Sequence, residues 1–158
     1  MNQVTEPAAS PLSDDAKRTL SILADMIIPA SDEYGVPGAG DAAIVDAILA
    51  DAARQRTRLE AGLSALESVA RERHDAGFAD LDTARRERVV DAFRDAYPAE
   101  ADSIAALTAQ CYYRDDRVMV SLGMDPRPPH PLGFTVEQGD WSLLDPVRAR
   151  AEFYRKTE

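Results

Sequence analysis

The chain is predicted to be all-α: a bundle of about five helices followed by a proline-rich extended arm at the C-terminus. Three observations predict this. Apolar residues recur at helical spacing through most of the first 122 positions, as in Ala16, Leu20, Leu23 and Ile27 at i, i+4, i+7 and i+11. No segment shows a convincing period-two alternation; residues 118–122 are the best strand candidate, and they overlap a short helical pattern. Four of the ten prolines, Pro126, Pro128, Pro129 and Pro131, crowd into six positions, and neither a helix nor a central strand passes through such a run. A chain of 158 residues fits one domain. It divides into a flexible lead-in at 1–12, a helical bundle at 13–122, and the arm at 123–158 with its own short helix.

The first helix is expected to start near Ser13, with Asp14 and Asp15 favourably placed against the helix dipole. Ile22 and Met26 widen its apolar face, which predicts deep burial. Pro29 ends it, because the residue before a proline avoids the α region. A loop follows at 30–40, with Pro37, Gly35, Gly38, Gly40 and the acids Asp32 and Glu33. Asp41 caps a second helix running to about Ala53, with Ile44, Ala47 and Ile48 facing inward. Leu59, Leu63, Leu66 and Ala70 mark a third, which no breaker separates from the second. Gly77 and Phe78 break it. Asp82 caps a fourth, with Val89, Phe93 and Ala96 on one face. Pro98 opens a fifth at its first position, carrying Ile104, Leu107 and Cys111, with a continuation over 114–122 that stops at Gly123. Residues 125–141 are read as extended, and Pro146 opens a last helical segment over 147–153.

Composition excludes several functions. There are 28 Asp and Glu against 18 Lys and Arg, a formal charge of −10. Phosphate binding needs clustered bases, so nucleic acid is excluded as a partner, and an anionic membrane surface is disfavoured. No apolar run approaches the ~20 residues that span a bilayer. The first ten residues lack the basic start and apolar run of a signal peptide, so a cytoplasmic location is expected. One Cys and two His leave neither an internal disulfide nor a Cys-rich or His-rich metal site.

Catalytic motifs are absent. There is no phosphate loop, no dinucleotide fingerprint on a strand–helix unit, no Glu-x-x-His pair and no nucleophile elbow. His74 lies in the polar run Arg71-Glu72-Arg73-His74-Asp75 and reads as a solvated helix end. Cys111, at helical spacing from Ile104 and Leu107, reads as a small core residue. His130, inside the proline arm, is either an exposed loop residue or a group that meets a partner or substrate. Adjacent Tyr112 and Tyr113 diverge by about 100° on a helix, so one of them is free for an interface. Trp141, the one Trp, lies in the arm and is either folded back or planted in a neighbour. Charge is uneven: residues 1–50 hold eight acids and two bases, while residues 147–156 hold four bases (Arg148, Arg150, Arg155, Lys156) against Glu152. The candidate partner-binding residues are Tyr112, Tyr113, Pro128, Pro129, His130, Phe134, Trp141, Arg148 and Arg150.

Several stretches resemble one family in order and spacing. They are Leu20-Ser21-Ile22-Leu23-Ala24-Asp25-Met26-Ile27-Ile28-Pro29, then Pro37-Gly38-Ala39 with Asp41-Ala42 and Val45-Asp46. Gly62-Leu63-x-x-Leu66-Glu67 and Phe78-x-x-Leu81-Asp82 follow, and Cys111-Tyr112-Tyr113 with Leu122-Gly123-Met124 and the proline run to Gly133 close the set. Over residues 16–135 the chain resembles the gluconate 2-dehydrogenase subunit 3 family, the small subunit of flavin-dependent sugar and alcohol dehydrogenases. The resemblance implies a non-catalytic subunit that binds no cofactor itself. It implies a large FAD-containing partner of the glucose–methanol–choline oxidoreductase type, which oxidises a sugar, glycoside or related alcohol. Some complexes of the family add a cytochrome c subunit as electron acceptor, and many members carry a twin-arginine export signal. No Arg pair precedes Lys17 here, which favours a cytoplasmic complex or an export signal carried on another chain. Two other readings stand beside this one: a stand-alone helical adaptor or regulator, and an independent enzyme using His130 or a carboxylate.

Overall fold

The computed structural model describes residues 12–52, 56–128 and 130–151. Its helices are α1 (Asp14–Ile27), α2 (Ala42–Asp51), α3 (Arg56–His74), α4 (Thr83–Ala96), α5 (Pro98–Tyr112), α6 (Asp116–Ser121) and α7 (Asp145–Arg148). The described residues contain no strand, only one antiparallel bridge between Ser31 and Val36, so the chain is all-α. The chain divides into two units, Met1–Pro126 and Arg127–Glu158, each described separately.

In the first unit α3 packs on α4 and α5, α2 lies on α5, and α1 crosses α2, α3 and α5. Their inward faces form one core. Leu20, Ile44, Ile48, Leu66, Phe78, Val89 and Phe93 are at most 1 % exposed, and burying each such side chain contributes roughly 1.5–3 kcal/mol. The predicted caps form. Ser13 Oγ accepts from Ala16 N at 3.2 Å, Asp41 from Ala43 N at 3.0 Å and Asp82 from Arg85 N at 2.9 Å. Each satisfies a backbone donor that a helix start leaves unpaired.

The loop after α1 folds back on that helix. Asp25 accepts from Gly40 N at 3.1 Å, and Ser21 Oγ donates to Gly40 O at 2.8 Å. A Cβ at Gly38 would stand 2.0 Å from Asp25 Oδ1, and one at Gly40 would stand 2.6 Å from Ser21 O. Close approach therefore requires glycine at both positions. Across the bundle, Glu67 on α3 accepts from Thr19 Oγ1 at 2.7 Å and from Phe78 N at 3.1 Å. Arg86 on α4 donates to the carbonyls of Phe78 and Ala79 at 3.3 and 2.6 Å. Together they fix the 3-10 turn, Phe78–Asp80, that seats the Phe78 ring in the core.

Several local expectations are corrected. Leu12, read as part of the lead-in, is 8 % exposed and belongs to the core; residues 1–11 lie outside the described residues. Ile22 and Met26 are half-buried rather than deep, and Ala47 and Ala96 face solvent. Alanine buries so little area that burial does not fix its side of a helix. The joint between α2 and α3, residues 53–55, lies outside the described residues. α3 stops at His74 because Asp75 takes a left-handed φ of 53°, before Gly77 is reached. Residues 118–122 are not a strand: residues through Ser121 belong to α6, which Asp115 caps through Arg117 N. A turn over Tyr113–Asp115 separates α6 from α5, so it is a new helix and not a continuation.

In the second unit residues 130–132 form a turn, and residues 133–140 have no regular secondary structure. The last helix is shorter and earlier than expected. It covers Asp145–Arg148, with Pro146 in its first turn; residues 152–158 lie outside the described residues.

Candidate functional site

The most tightly built polar cluster of the first unit joins α2 to α6. Arg117 donates to Asp41 through Nη1 at 3.2 Å and Nη2 at 2.8 Å. It also donates to Asp115 through Nε and Nη2, both at 2.9 Å. Both carboxylates are helix caps, so one guanidinium ties two helix N-termini together. The fork geometry suits arginine and not lysine. Hydrogen bonding from Arg117 holds the Asp41 and Asp115 carboxyls below the usual carboxylate range, and both acids push the guanidinium pKa upward.

Beside this clamp lies an open cleft of about 530 Å³, lined by Ala43, Ile44 and Ala47 of α2, Asp51, Cys111 and Arg114. Asp51 accepts from Arg114 Nη1, from Gln110 Nε2 at 3.3 Å and from Cys111 Sγ at 3.8 Å. Burial, then the nearby Asp51 charge, pushes the Cys111 thiol up. Cys111 is 3 % exposed, a core residue as its spacing predicts. With its thiol protonated at neutral pH, it is not an activated nucleophile.

Tyr112 and Tyr113 meet edge to face, with ring centroids 5.2 Å apart at 86°. Tyr112 is buried in the core, and burial raises its pKa; Tyr113 is 56 % exposed and is the one a partner can touch. His74 is half-buried, and its Nε2 finds no hydrogen-bond partner among the described residues, so it is less solvated than its polar neighbours suggest.

In the second unit Arg127 stacks over Phe134, 4.6 Å from the ring centroid, and Arg127 Nη2 donates to Gly133 O at 2.7 Å. These contacts close Arg127 onto Gly133 and Phe134, and the His130–Pro131 bond between them is cis. Pro128, His130 and Phe134 are exposed; Pro129 lies outside the described residues. Trp141 opens a 3-10 turn over Trp141–Leu144, capped by Asp140, whose carboxyl is held low by the Ser142 hydroxyl and N–H. Arg148 pairs with Asp145 at 3.2 Å, so its charge is partly met within its own turn. Arg150 is exposed at the helix end. Arg127, Gly133 and Phe134 are thus brought together, whereas Trp141 opens a 3-10 turn that runs directly into the short helix ending at Arg148.

Sequence reasoning missed two functional-looking features: the Arg117 bridge, and the exposed Val120, Leu122 and Met124 that follow it. The signal available for the second was three large apolar residues at alternate positions next to the proline run. Among the described residues no group of three His, Cys, Asp or Glu side chains could hold a metal ion. No described helix is long and apolar enough to cross a membrane.

A family model described as gluconate 2-dehydrogenase subunit 3 matches residues 14–125. No curated protein and no solved structure matches.

Proposed function

The chain belongs to the gluconate 2-dehydrogenase subunit 3 family, and from that premise we propose that it is a non-catalytic small subunit. It binds and stabilises a large FAD-dependent oxidoreductase subunit that oxidises a sugar, glycoside or related alcohol. The family match over residues 14–125 carries this reading. The arm supports it. Trp141, Leu132, Val136 and Leu143 are between 62 % and 80 % exposed, which leaves large apolar side chains available for a partner to bury. Prolines reduce the entropy lost when such a segment docks. The flavin belongs to the partner, and the electron acceptor, a cytochrome c or another carrier, is met by the large subunit.

Removing residues 125–158 tests the arm's part. The truncated chain is expected to keep its helical circular dichroism and to lose co-purification with the large subunit. Unchanged affinity of the truncated chain would refute the arm as the contact.

A further inference from the structure

A groove of about 540 Å³ lies in the first unit between α1, α4 and α5. α1 and α4 each pack on α5 but not closely on one another, and this leaves the opening. Its floor holds Leu23, Phe93 and Ile104, each at most 3 % exposed. Met26 and Ile27 of α1 and Val90 of α4 line it half-buried. Ala101 and Ala105, one turn apart on α5, add little beyond backbone. We propose that this groove receives an amphipathic helix of the large flavin-containing subunit, flanked by Lys or Arg, as a contact additional to the arm. The proposal rests on the reading of the chain as that subunit's partner.

The lining residues share one face on each helix. Leu23, Met26 and Ile27 stand at i, i+3 and i+4, and Ala101, Ile104 and Ala105 repeat that spacing on α5. The floor carries no polar side chain. The polar groups of the lining, Glu87, Asp91, Arg94 and Asp102, are exposed at the rim. A small-molecule site sets a few polar groups inside an apolar pocket to orient its ligand. An apolar floor between charged rims instead suits a helix that lays its apolar face inward, with anchors at i, i+3 or i+4 and i+7. The walls are helices held by the core, so little ordering is left for docking to cost.

Charge sets the sign of the occupant. Glu87, Asp91 and Asp95 follow one another at i, i+4 and i+8 on α4. Asp102 lines the groove from α5, and Asp95 lines the adjoining hollow with Asp91 and Asp102. Like charges at i, i+4 destabilise a helix, so the row does not serve the fold. Among the described residues none of these four acids has an ion pair, whereas Asp41, Asp51, Asp80, Asp82 and Asp115 are each paired to an arginine. Arg94 is the one base of the lining. Basic side chains on an incoming helix would meet unpaired carboxylates at the rim. A second copy carries the same −10, which opposes it. The chain's own residues 127–158 hold five acids and five bases. Their one described α-helix, α7, has four residues, and its Arg148 pairs with Asp145, so among the described residues they present no basic helical face.

The test places a thiol in the groove of the full-length chain as A101C and follows its labelling with and without the purified large subunit. Cys111, 3 % exposed, supplies the slow background. In the free chain the A101C thiol is expected to label within about tenfold of its rate in denaturant, and at least ~10-fold more slowly in the complex. D91K/D102K, at two exposed positions, is expected to weaken binding at least ~10-fold at about 0.15 M NaCl, and wild-type affinity is expected to fall toward the variant's at ~1 M NaCl. Circular dichroism checks that each variant is folded. Slow labelling of the free chain at every concentration means that the chain covers its own groove, and overturns the proposal. Protection that grows with the concentration of the chain alone assigns the groove to a second copy, and overturns it as well. Equal labelling in the free chain and in the complex overturns the proposal while the subunit reading stands. Undiminished D91K/D102K affinity overturns the basic character of the occupant. If the wild-type chain binds no flavin-containing subunit, the reading and the proposal fall together.

Discussion

Replacing Glu67 by Ala isolates the least expected contact in the bundle. Glu67 is the acceptor for two donors that other elements bring to it: the Thr19 hydroxyl at 2.7 Å and the Phe78 amide at 3.1 Å. Both donor residues are essentially inaccessible, at 1 % and 0 % exposure. A hydrogen bond to a charged group contributes about 1.5–3 kcal/mol. The Thr19 hydroxyl has an alternative, since a helical Thr can turn to the carbonyl four residues back. The Phe78 amide, held in its 3-10 turn, has none. The expected loss is therefore about 2–4 kcal/mol, a large part of the ~5–15 kcal/mol that stabilises a domain. Glu67→Gln keeps an acceptor and should cost about 1 kcal/mol. The assay is urea unfolding followed by far-ultraviolet circular dichroism. Trp141 is the one Trp and lies outside the bundle unit, so its fluorescence is the wrong reporter. With m near 1–3 kcal/mol/M, the midpoint of E67A should fall by about 1–2 M at unchanged m. A loss under ~0.5 kcal/mol would refute the claim that Glu67 holds the Phe78 turn.

Three further predictions follow from the same geometry. Gly40→Ala places a Cβ 2.6 Å from the Ser21 carbonyl oxygen, so it should cost about 1–3 kcal/mol in the same unfolding assay. Asp41 and Asp115 are held low by Arg117. The stability they add is therefore fully present above the ordinary carboxylate range, about pH 4, and is lost as pH falls through their lower folded values. Arg117→Ala should flatten the stability–pH curve in that acid window, measured by unfolding at a series of pH values. Cys111 is 3 % exposed, and burial also raises its pKa, so a thiol-labelling reagent kept from the sulfur should react at least ~100-fold more slowly with the native chain than with the chain in denaturant.

Much of the bundle is legible in the sequence because its signals are local. Ser13, Asp41 and Asp82 each stand just before an apolar-periodic run, and each caps its helix. Cys111 continues the spacing of Ile104 and is buried with it. What the sequence leaves unread depends on partners far along the chain. Glu67 lies four residues after Leu63 and belongs to the same inward side, but its role depends on a threonine 48 positions earlier. Arg117 meets an aspartate 76 positions away, and nothing in its own neighbourhood announces that pairing. Residues 118–122 have the β-branched content of a strand, yet the Asp115 cap and the burial of Val118 make residues through Ser121 helical. Ala47 and Ala96 face solvent for want of area to decide the matter. The arm's proline run predicts an end to the bundle near residue 123; the division between the two units follows Pro126. The closure of Arg127 onto Phe134 depends on a cation–π contact that no periodicity encodes.

The most direct test of the central claim is a tagged pull-down of this chain from its native cell, reading bound flavin and sugar-dependent dye reduction in the same eluate. The account predicts a yellow complex containing a larger second chain, with activity that the isolated small chain lacks. A colourless single band, or sugar oxidation by the small chain alone without flavin, would contradict it.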